Sequence, residues 1–201
     1  MSENTIRGVE FKPLKTHADD RGFFREIIRV SDSVFQLKSA EDNQGFAPDN
    51  QGFAQYDQGF AQWSHSLMAK NTVKAWHFHH LQIDWWYLAL GVIETVLFDN
   101  RKESPTYQKK LVFKLGDPGL DPEAQCSVVR IPQGVLHGCK VLSQTAHLFY
   151  ITSKIYDPED EGRLPYNSPI VNHPWGKEEE LTVAANDRIE KLPRYPLTPS
   201  W

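Results

Sequence analysis

From Val73 onward, apolar residues occur in short runs or alternate with polar ones, which is the pattern of β-strands rather than of amphipathic helices. Turn-forming residues rich in Asp, Asn, Pro and Gly separate these runs. Strands are predicted at 85–90, 92–98, 111–115, 127–131 and 147–152. Many short strands between turns are typical of a jelly-roll barrel that holds a ligand in its mouth. The chain is therefore predicted to be all-β with a few short helices.

The remaining segments predict additions to this barrel within one domain, 1–201. Residues 8–30 predict two strands around a turn at 19–22. Residues 42–62 repeat a heptad three times, but a Gly in every unit and one Phe per seven residues disfavour a coiled coil and indicate a loop insertion. From about 157 the chain is rich in Pro and charge, and we expect it to wrap over the barrel. Within that part, 159–161 is predicted to be a solvated loop and 177–181 a short helix.

Composition excludes several classes of function. The chain has 201 residues, a net charge of −4 and no basic run, which argues against nucleic-acid binding. The sequence shows no apolar stretch of membrane-spanning length and no signal-peptide pattern, so we expect no membrane partner and a cytoplasmic location. Cys126 and Cys139 are the two cysteines, and we expect reduced thiols.

Candidate chemistry centres on histidines. Strand alternation places His77 and His79 on one face, and Asp84 follows after room for a turn. A later Pro-x-Gly-x-x-His element can bring His137 to the same place. Three imidazoles and a carboxylate form a plausible ligand set for a divalent transition metal, whose identity the sequence does not choose. The alternative is that the His-x-His pair is simply packed or lies on the surface.

These residues resemble the two-motif signature of the cupin superfamily. His77, His79, Asp84 and Gly91 match the first motif, with Asp in place of the usual Glu. Residues 132–137 match the second motif. The resemblance implies a cupin double-stranded β-helix, which is the jelly-roll barrel indicated by the strand pattern.

Longer segments resemble the dTDP-4-dehydrorhamnose 3,5-epimerase family, in order over roughly 8–175 apart from the heptad insertion. The matching motifs are Asp19-x-Arg21-Gly22-x-Phe24-x-Glu26, residues 98–106, residues 131–138, and the late tyrosines Tyr150 and Tyr156.

The family resemblance implies an isomerase that moves a proton next to a ketone of a nucleotide sugar, without a cofactor. Such a reaction needs a base, an acid on the opposite face and a stabiliser for the enolate. By position, His77 is the base, Tyr150 the acid and His137 a second barrel histidine. Lys74 stands where the family has an Arg before the base.

The resemblance also implies a homodimer. Arg21, Phe24 and Glu26 would meet the diphosphate and nucleotide, with Arg21 supplied by the partner subunit.

Two positions depart from the family. Ser168 stands where the family has the Asp that orients the base, so we expect a much weaker base. Asp84 stands where the family has a Lys beside the enolate oxygen. These departures leave three hypotheses: an epimerase, a metal-dependent cupin enzyme, and a sugar-binding relative without catalysis. In the metal hypothesis the ligands are His77, His79, Asp84 and His137, and His77 cannot then also serve as a free base.

Overall fold

The computed structural model describes residues 5–35 and 60–197, so most of the predicted heptad insertion lies outside the described residues. The described part contains fourteen strands in two large sheets and one hairpin. The strands are β1 Glu10–Pro13, β2 Thr16–Asp19, β3 Gly22–Arg25, β4 Gln62–Ala69, β5 Thr72–His79, β6 Asp84–Leu90, β7 Val92–Asp99, β8 Lys110–Gly116, β9 Ala124–Gln125, β10 Ser127–Ile131, β11 Val135–Val141, β12 Thr145–Thr152, β13 Glu161–Arg163 and β14 Thr182–Val183.

The two sheets have the topology of a jelly roll. The first has the order β1-β10-β6-β12-β4, and the second has the order β13-β5-β11-β7-β8-β9, with β14 also paired to β5. The pairs within the first sheet are antiparallel, as are most pairs of the second. The predicted all-β barrel is confirmed. Helical structure among the described residues is confined to the 3₁₀ turns Ser33–Phe35, Glu178–Glu180 and Ala185–Arg188.

The predicted strands match the observed ones closely from β6 onward. The clearest difference is at the N-terminus, where three strands replace the predicted two. Pro13 ends β1, and β2 and β3 then form a separate hairpin whose Asp19 pairs with Gly22 at the predicted turn. Gly91 has a φ of +91° between β6 and β7, and a Cβ there would lie 2.3 Å from the carbonyl oxygen of Thr145. Only glycine fits this bend.

The main core lies between the two sheets and contains buried aliphatic and aromatic side chains from both, including Leu88, Ile93 and Leu148. A second cluster lies on the outer face of the second sheet. There, Leu164, Tyr166, Val171 and Trp175 of the C-terminal segment cover β5, β7 and β11. Full burial of an aliphatic side chain contributes about 2 kcal/mol, so this cluster holds the segment on the barrel.

Hydrogen bonds fix the same C-terminal segment. The indole nitrogens of Trp76 and Trp175 both donate to the carbonyl oxygen of Tyr166, at 3.1 and 3.0 Å. Val183 of β14 pairs in parallel with Val73 of β5. The segment is therefore positioned next to β5, the strand that carries the candidate histidines. None of the helical turns in the described residues has the length and apolar character needed to span a membrane.

Candidate active site

A cavity of about 270 Å³ lies between the two sheets and is lined mainly by polar side chains. Six of the residues that sequence reasoning proposed for a site line it together: Lys74, His77, His79, Asp84, His137 and Tyr150. Glu161, Arg163 and Tyr156 line it too. The barrel therefore brings the candidate residues of distant chain segments to one place.

An irregularity in strand pairing arranges β5 around this cavity. On β11, His137 lies opposite His77, whereas Cys139 lies opposite Lys74, so the register shifts by one residue between them. This shift lets Lys74 and His77 both face the cavity although they are three positions apart. His79 follows by ordinary alternation, and the predicted common face of His77 and His79 is observed.

His77 is held between two carboxylates. Its Nε2 lies 2.9 Å from Oδ1 of Asp187, and its Nδ1 lies 3.4 Å from Oε1 of Glu161. Burial alone would lower the pKa of His77, but the hydrogen bond to Asp187 and the Glu161 carboxylate beside Nδ1 outweigh it and raise the pKa above its ordinary value. The imidazole is thus a group that binds a proton readily and whose cationic form is stabilised.

Asp187 corrects an expectation from the sequence. Ser168 does not bond to His77; its hydroxyl oxygen accepts a hydrogen bond from the backbone of Ile170 at 3.4 Å. The carboxylate comes from Asp187, in the turn Ala185–Arg188, where its side chain is only 4% exposed. The expected loss of the charged partner is wrong because a different chain segment supplies the charge.

Strand β13 supplies the second carboxylate and a guanidinium. Arg163 pairs with His77 and Glu161 pairs with His79 along β5. Arg163 donates to Oδ1 of Asp187 at 2.9 Å and to Oε1 of Glu161 at 2.8 Å. Burial would raise the pKa of Glu161, but His77 and Arg163 lower it to about 2, so the group is ionised.

The solvated loop predicted at 159–161 is therefore wrong for two of its three residues. Asp160 and Glu161 are buried. Oδ1 of Asp160 accepts hydrogen bonds from the backbone nitrogens of His80 and Leu81, and Oδ2 accepts from those of Leu81 and Gln82. Only Glu159 is exposed. The acidic run fixes the loop between β5 and β6 and completes the wall of the cavity.

A second group of side chains that could bind a metal lies beside the His77–Asp187 pair. His79, Asp84 and His137 each offer an atom within 4.8 Å of the others. Gln82 donates to Oδ1 of Asp84 at 2.6 Å, which orients the carboxylate. His77 is not a member of this group, and its Nε2 bonds to Asp187 instead. The group therefore contains three of the four ligands proposed from the sequence.

His137 is in a protonation state that would allow it to bind a metal ion. Its Nδ1 lies 3.1 Å from the carbonyl oxygen of Val135, which can only accept, so Nδ1 carries the hydrogen. Burial lowers the pKa of His137 to about 4. The ring is thus neutral near pH 7, and its Nε2 presents a lone pair 3.7 Å from Oδ2 of Asp84. Two facing acceptors in a buried site are a good fit for a cation between them.

Tyr150 and Lys74 complete the lining. Tyr150 lies on β12 of the first sheet, whereas His77 lies on β5 of the second, so the two side chains enter the cavity from different sheets. Lys74 donates to the hydroxyl oxygen of Ser66 at 2.7 Å. A ligand in the cavity would have the imidazole and the phenol on different sides.

Arg21, Phe24 and Glu26 do not reach this cavity in the same chain. They lie on or just after the β2–β3 hairpin, and Phe24 is 67% exposed. Arg21 pairs with Asp19, and Glu26 pairs with Arg29, both on the surface. The structure therefore separates the three proposed nucleotide contacts from the other site residues of the same chain.

Sequence reasoning missed Glu161, Arg163 and Asp187 as site residues. The alternation of Glu161 and Arg163 around a glycine was a usable signal for a charged strand face. No local pattern marks Asp187, whose contact with His77 spans 110 positions.

Comparison with known proteins places these features in a family. A family model described as dTDP-4-dehydrorhamnose 3,5-epimerase matches residues 3–193. The spore coat polysaccharide biosynthesis protein SpsL of Bacillus subtilis is 31% identical over 176 residues, which is 86% of this chain and 98% of that protein. The probable low-salt glycan biosynthesis epimerase Agl13 of Haloferax volcanii is 28% identical over 177 residues, 86% of this chain and 96% of that one.

A solved structure has the same fold. The dTDP-6-deoxy-D-glucose-3,5-epimerase RmlC of Legionella pneumophila, in complex with dTDP-4-keto-L-rhamnose, superposes with a TM-score of 0.71 at 23% identity. The match covers 96% of this chain and 97% of that one.

Proposed function

Because the chain belongs to the dTDP-4-dehydrorhamnose 3,5-epimerase family, we propose that it epimerises a carbon next to the ketone of a nucleotide-linked sugar. The observation that carries this proposal is the pair formed by His77 and the buried Asp187 in the cavity wall. The ligand of the Legionella pneumophila structure, dTDP-4-keto-L-rhamnose, is a nucleotide-linked keto sugar, which is the chemical class proposed here. No cofactor is needed for this chemistry.

Proton transfer begins at His77. A carboxylate can only accept a hydrogen bond, so Nε2 of His77 donates to Asp187 and Nδ1 carries the lone pair of the neutral ring. Nδ1 removes the acidic hydrogen next to the ketone, the C–H electron pair forms the enolate, and Asp187 and Glu161 stabilise the imidazolium. The ammonium group of Lys74 lines the cavity, and we assign to it a contact with the bound substrate.

Tyr150 completes the inversion. Since it enters from the other sheet, its hydroxyl can return a proton to the opposite face of the same carbon, which restores the ketone with inverted configuration. His137 is neutral and packs beside His77, with ring centroids 6.3 Å apart, so it shapes the cavity without adding charge.

Solvent isotope exchange tests the function. The wild-type protein is incubated in D₂O with a dTDP-linked 4-keto-6-deoxy sugar, and deuterium at the carbons next to the ketone is followed by NMR. We expect incorporation together with formation of the epimer. Binding of the sugar nucleotide without any incorporation would instead favour the sugar-binding relative without catalysis.

The isolated hairpin β2–β3 supports a homodimer. Its Phe23 and Phe24 are 57% and 67% exposed, and none of the three proposed nucleotide contacts lines the cavity of the same chain. We therefore propose that Arg21, Phe24 and Glu26 act at the cavity of a second copy of the chain.

Mixing two impaired variants tests this arrangement. If Arg21 acts across the interface, Arg21→Ala and His77→Gln chains that are unfolded and refolded together form mixed dimers with one intact site. Random pairing then restores about a quarter of the wild-type rate. Restoration of no activity, or a monomer in sedimentation equilibrium, would refute the proposal.

The group of His79, Asp84 and His137 favours a second candidate, a metal-dependent enzyme on the same barrel with an unknown small substrate. Two imidazoles and a carboxylate suit Fe, Mn, Ni, Zn or Cu. When bound, such an ion would polarise a carbonyl or enolate oxygen. Because His77 lies outside this group, a metal at these three residues does not compete with proton transfer at His77.

Metal analysis of two variants separates these roles. The metal-dependent candidate predicts about one transition-metal ion per purified chain, lost in His79→Ala and retained in His77→Ala, since only His79 belongs to the three-residue group. Elemental analysis by mass spectrometry after dialysis measures both. A wild-type protein without metal after incubation with Zn²⁺, Mn²⁺, Fe²⁺ and Ni²⁺ would remove this candidate, whereas loss in His77→Ala would return His77 to the ligand set.

A further inference from the structure

The side chain of Arg163 joins the two carboxylates that flank His77. Its Nη1 donates to Oδ1 of Asp187 at 2.9 Å, and its Nη2 donates to Oε1 of Glu161 at 2.8 Å. The accepting oxygens are the ones that face the imidazole, at 2.9 Å from Nε2 and 3.4 Å from Nδ1. One guanidinium therefore sets the position of the groups on both sides of the ring.

The backbone of Arg163 holds the same assembly together. On one side it pairs with His77 in the β5–β13 register. On the other side it forms a bridge with Lys191 of the C-terminal segment. That segment carries Asp187, whose backbone carbonyl also accepts a hydrogen bond from Tyr166 at 2.8 Å. Arg163 is thus the residue through which the barrel and the segment that supplies Asp187 meet beside the imidazole.

The contacts of Arg163 matter because of the charges of the two carboxylates. Asp187 and Glu161 are both buried, with side chains 4% and 11% exposed, and two anions so close repel each other in a poorly solvated site. The planar fork of an arginine satisfies two carboxylates at once with fixed geometry, which a lysine cannot do. Without the fork, Asp187 and Glu161 would move apart and the imidazole would lose its fixed orientation.

We propose that Arg163 is a positioning residue that holds Asp187 and Glu161 around His77 in the orientation needed for proton transfer. This inference rests on the proposed function, because the benefit of a fixed imidazole is a faster proton transfer. Arg163 acts through the two carboxylates, and its Nη1 also lies 3.5 Å from Nε2 of His77.

Three variants test the inference. We expect Arg163→Ala to lower kcat for epimerisation roughly 100-fold with KM within about twofold, since a misplacement of about 1 Å costs that much in an oriented site. Arg163→Lys should retain an intermediate kcat. Added guanidinium chloride at low millimolar concentration should restore at least part of the kcat of Arg163→Ala and leave the lysine variant unchanged. Arg188→Ala is the matched control, since Arg188 lies on the same turn as Asp187 but pairs with Glu178 at the surface, and its kcat should equal wild type.

Other results would overturn the inference. A loss confined to KM would make Arg163 a substrate contact, and a loss that neither guanidinium nor lysine relieves would make it a general structural support. The imidazole nitrogens of His77 provide a check that does not need activity. In ¹⁵N–¹H spectra we expect one ordered set of His77 signals in the wild type and broadened or doubled signals in Arg163→Ala. If the wild type does not exchange deuterium, the proposed function fails, and unchanged His77 signals in Arg163→Ala would separately refute the positioning role.

Discussion

Replacing His77 with glutamine is expected to lower the rate of deuterium incorporation from solvent by about 10³-fold. Glutamine has similar size and keeps one hydrogen-bond donor for Asp187, but its amide cannot accept a proton at neutral pH. The variant therefore removes the proposed base without emptying the cavity. The measurement is the initial rate of exchange next to the ketone, followed by NMR in D₂O.

Two controls accompany this variant. His80→Gln changes a histidine that lies three positions away and outside the cavity lining, so its rate should stay near that of wild type. Binding of dTDP to His77→Gln should also be unchanged, because the proposed nucleotide contacts lie elsewhere. A His77→Gln protein that exchanges deuterium at the wild-type rate would rule out this residue as the base.

Replacing Asp187 with asparagine is the second large expected effect, a fall in kcat of about 10²- to 10³-fold. The amide of asparagine carries no charge to stabilise the imidazolium, and it can present a donor to Nε2, which favours the wrong tautomer of His77. Steady-state kinetics of epimerisation measures the change. A thermal unfolding curve of the variant verifies that the C-terminal segment remains docked.

Ser168→Ala provides the decisive comparison. The family motif places the orienting residue at this position, but the structure places Ser168 in a turn where its hydroxyl accepts from Ile170. We expect kcat of Ser168→Ala to stay within about threefold of wild type. A large loss in Ser168→Ala together with a small one in Asp187→Asn would contradict the role of Asp187 as the partner of His77.

Much of the barrel was predictable because its strands have strong local signals. Alternating or continuous apolar runs between turn residues located β6, β7, β8, β10 and β12 within two residues. The strained bend at Gly91 follows from a single residue type. The division of the N-terminal part into three strands was missed because only Leu14 and Lys15 join β1 to the hairpin, and Pro13 is the single breaking residue at that junction.

The candidate site was predictable only in part. Alternation on β5 placed His77 and His79 in one cavity, and the later motif added His137. Spacing alone does not say which ring nitrogens converge, so it could not show that His77 turns toward Asp187 while His79 joins Asp84 and His137. Glu161 was assigned to solvent because its partner in the sheet, His79, is distant in sequence.

Docking of the C-terminal segment has a consequence for how the molecule becomes active. The barrel strands that carry His77 and Tyr150 precede β13, whereas Asp187 joins them only when the later segment packs on β5. In a chain that is still emerging from the ribosome, the barrel strands therefore form before Asp187 can reach His77. Cleavage in the exposed stretch near Glu178 is expected to lower turnover more than it changes the barrel, and limited proteolysis measures both.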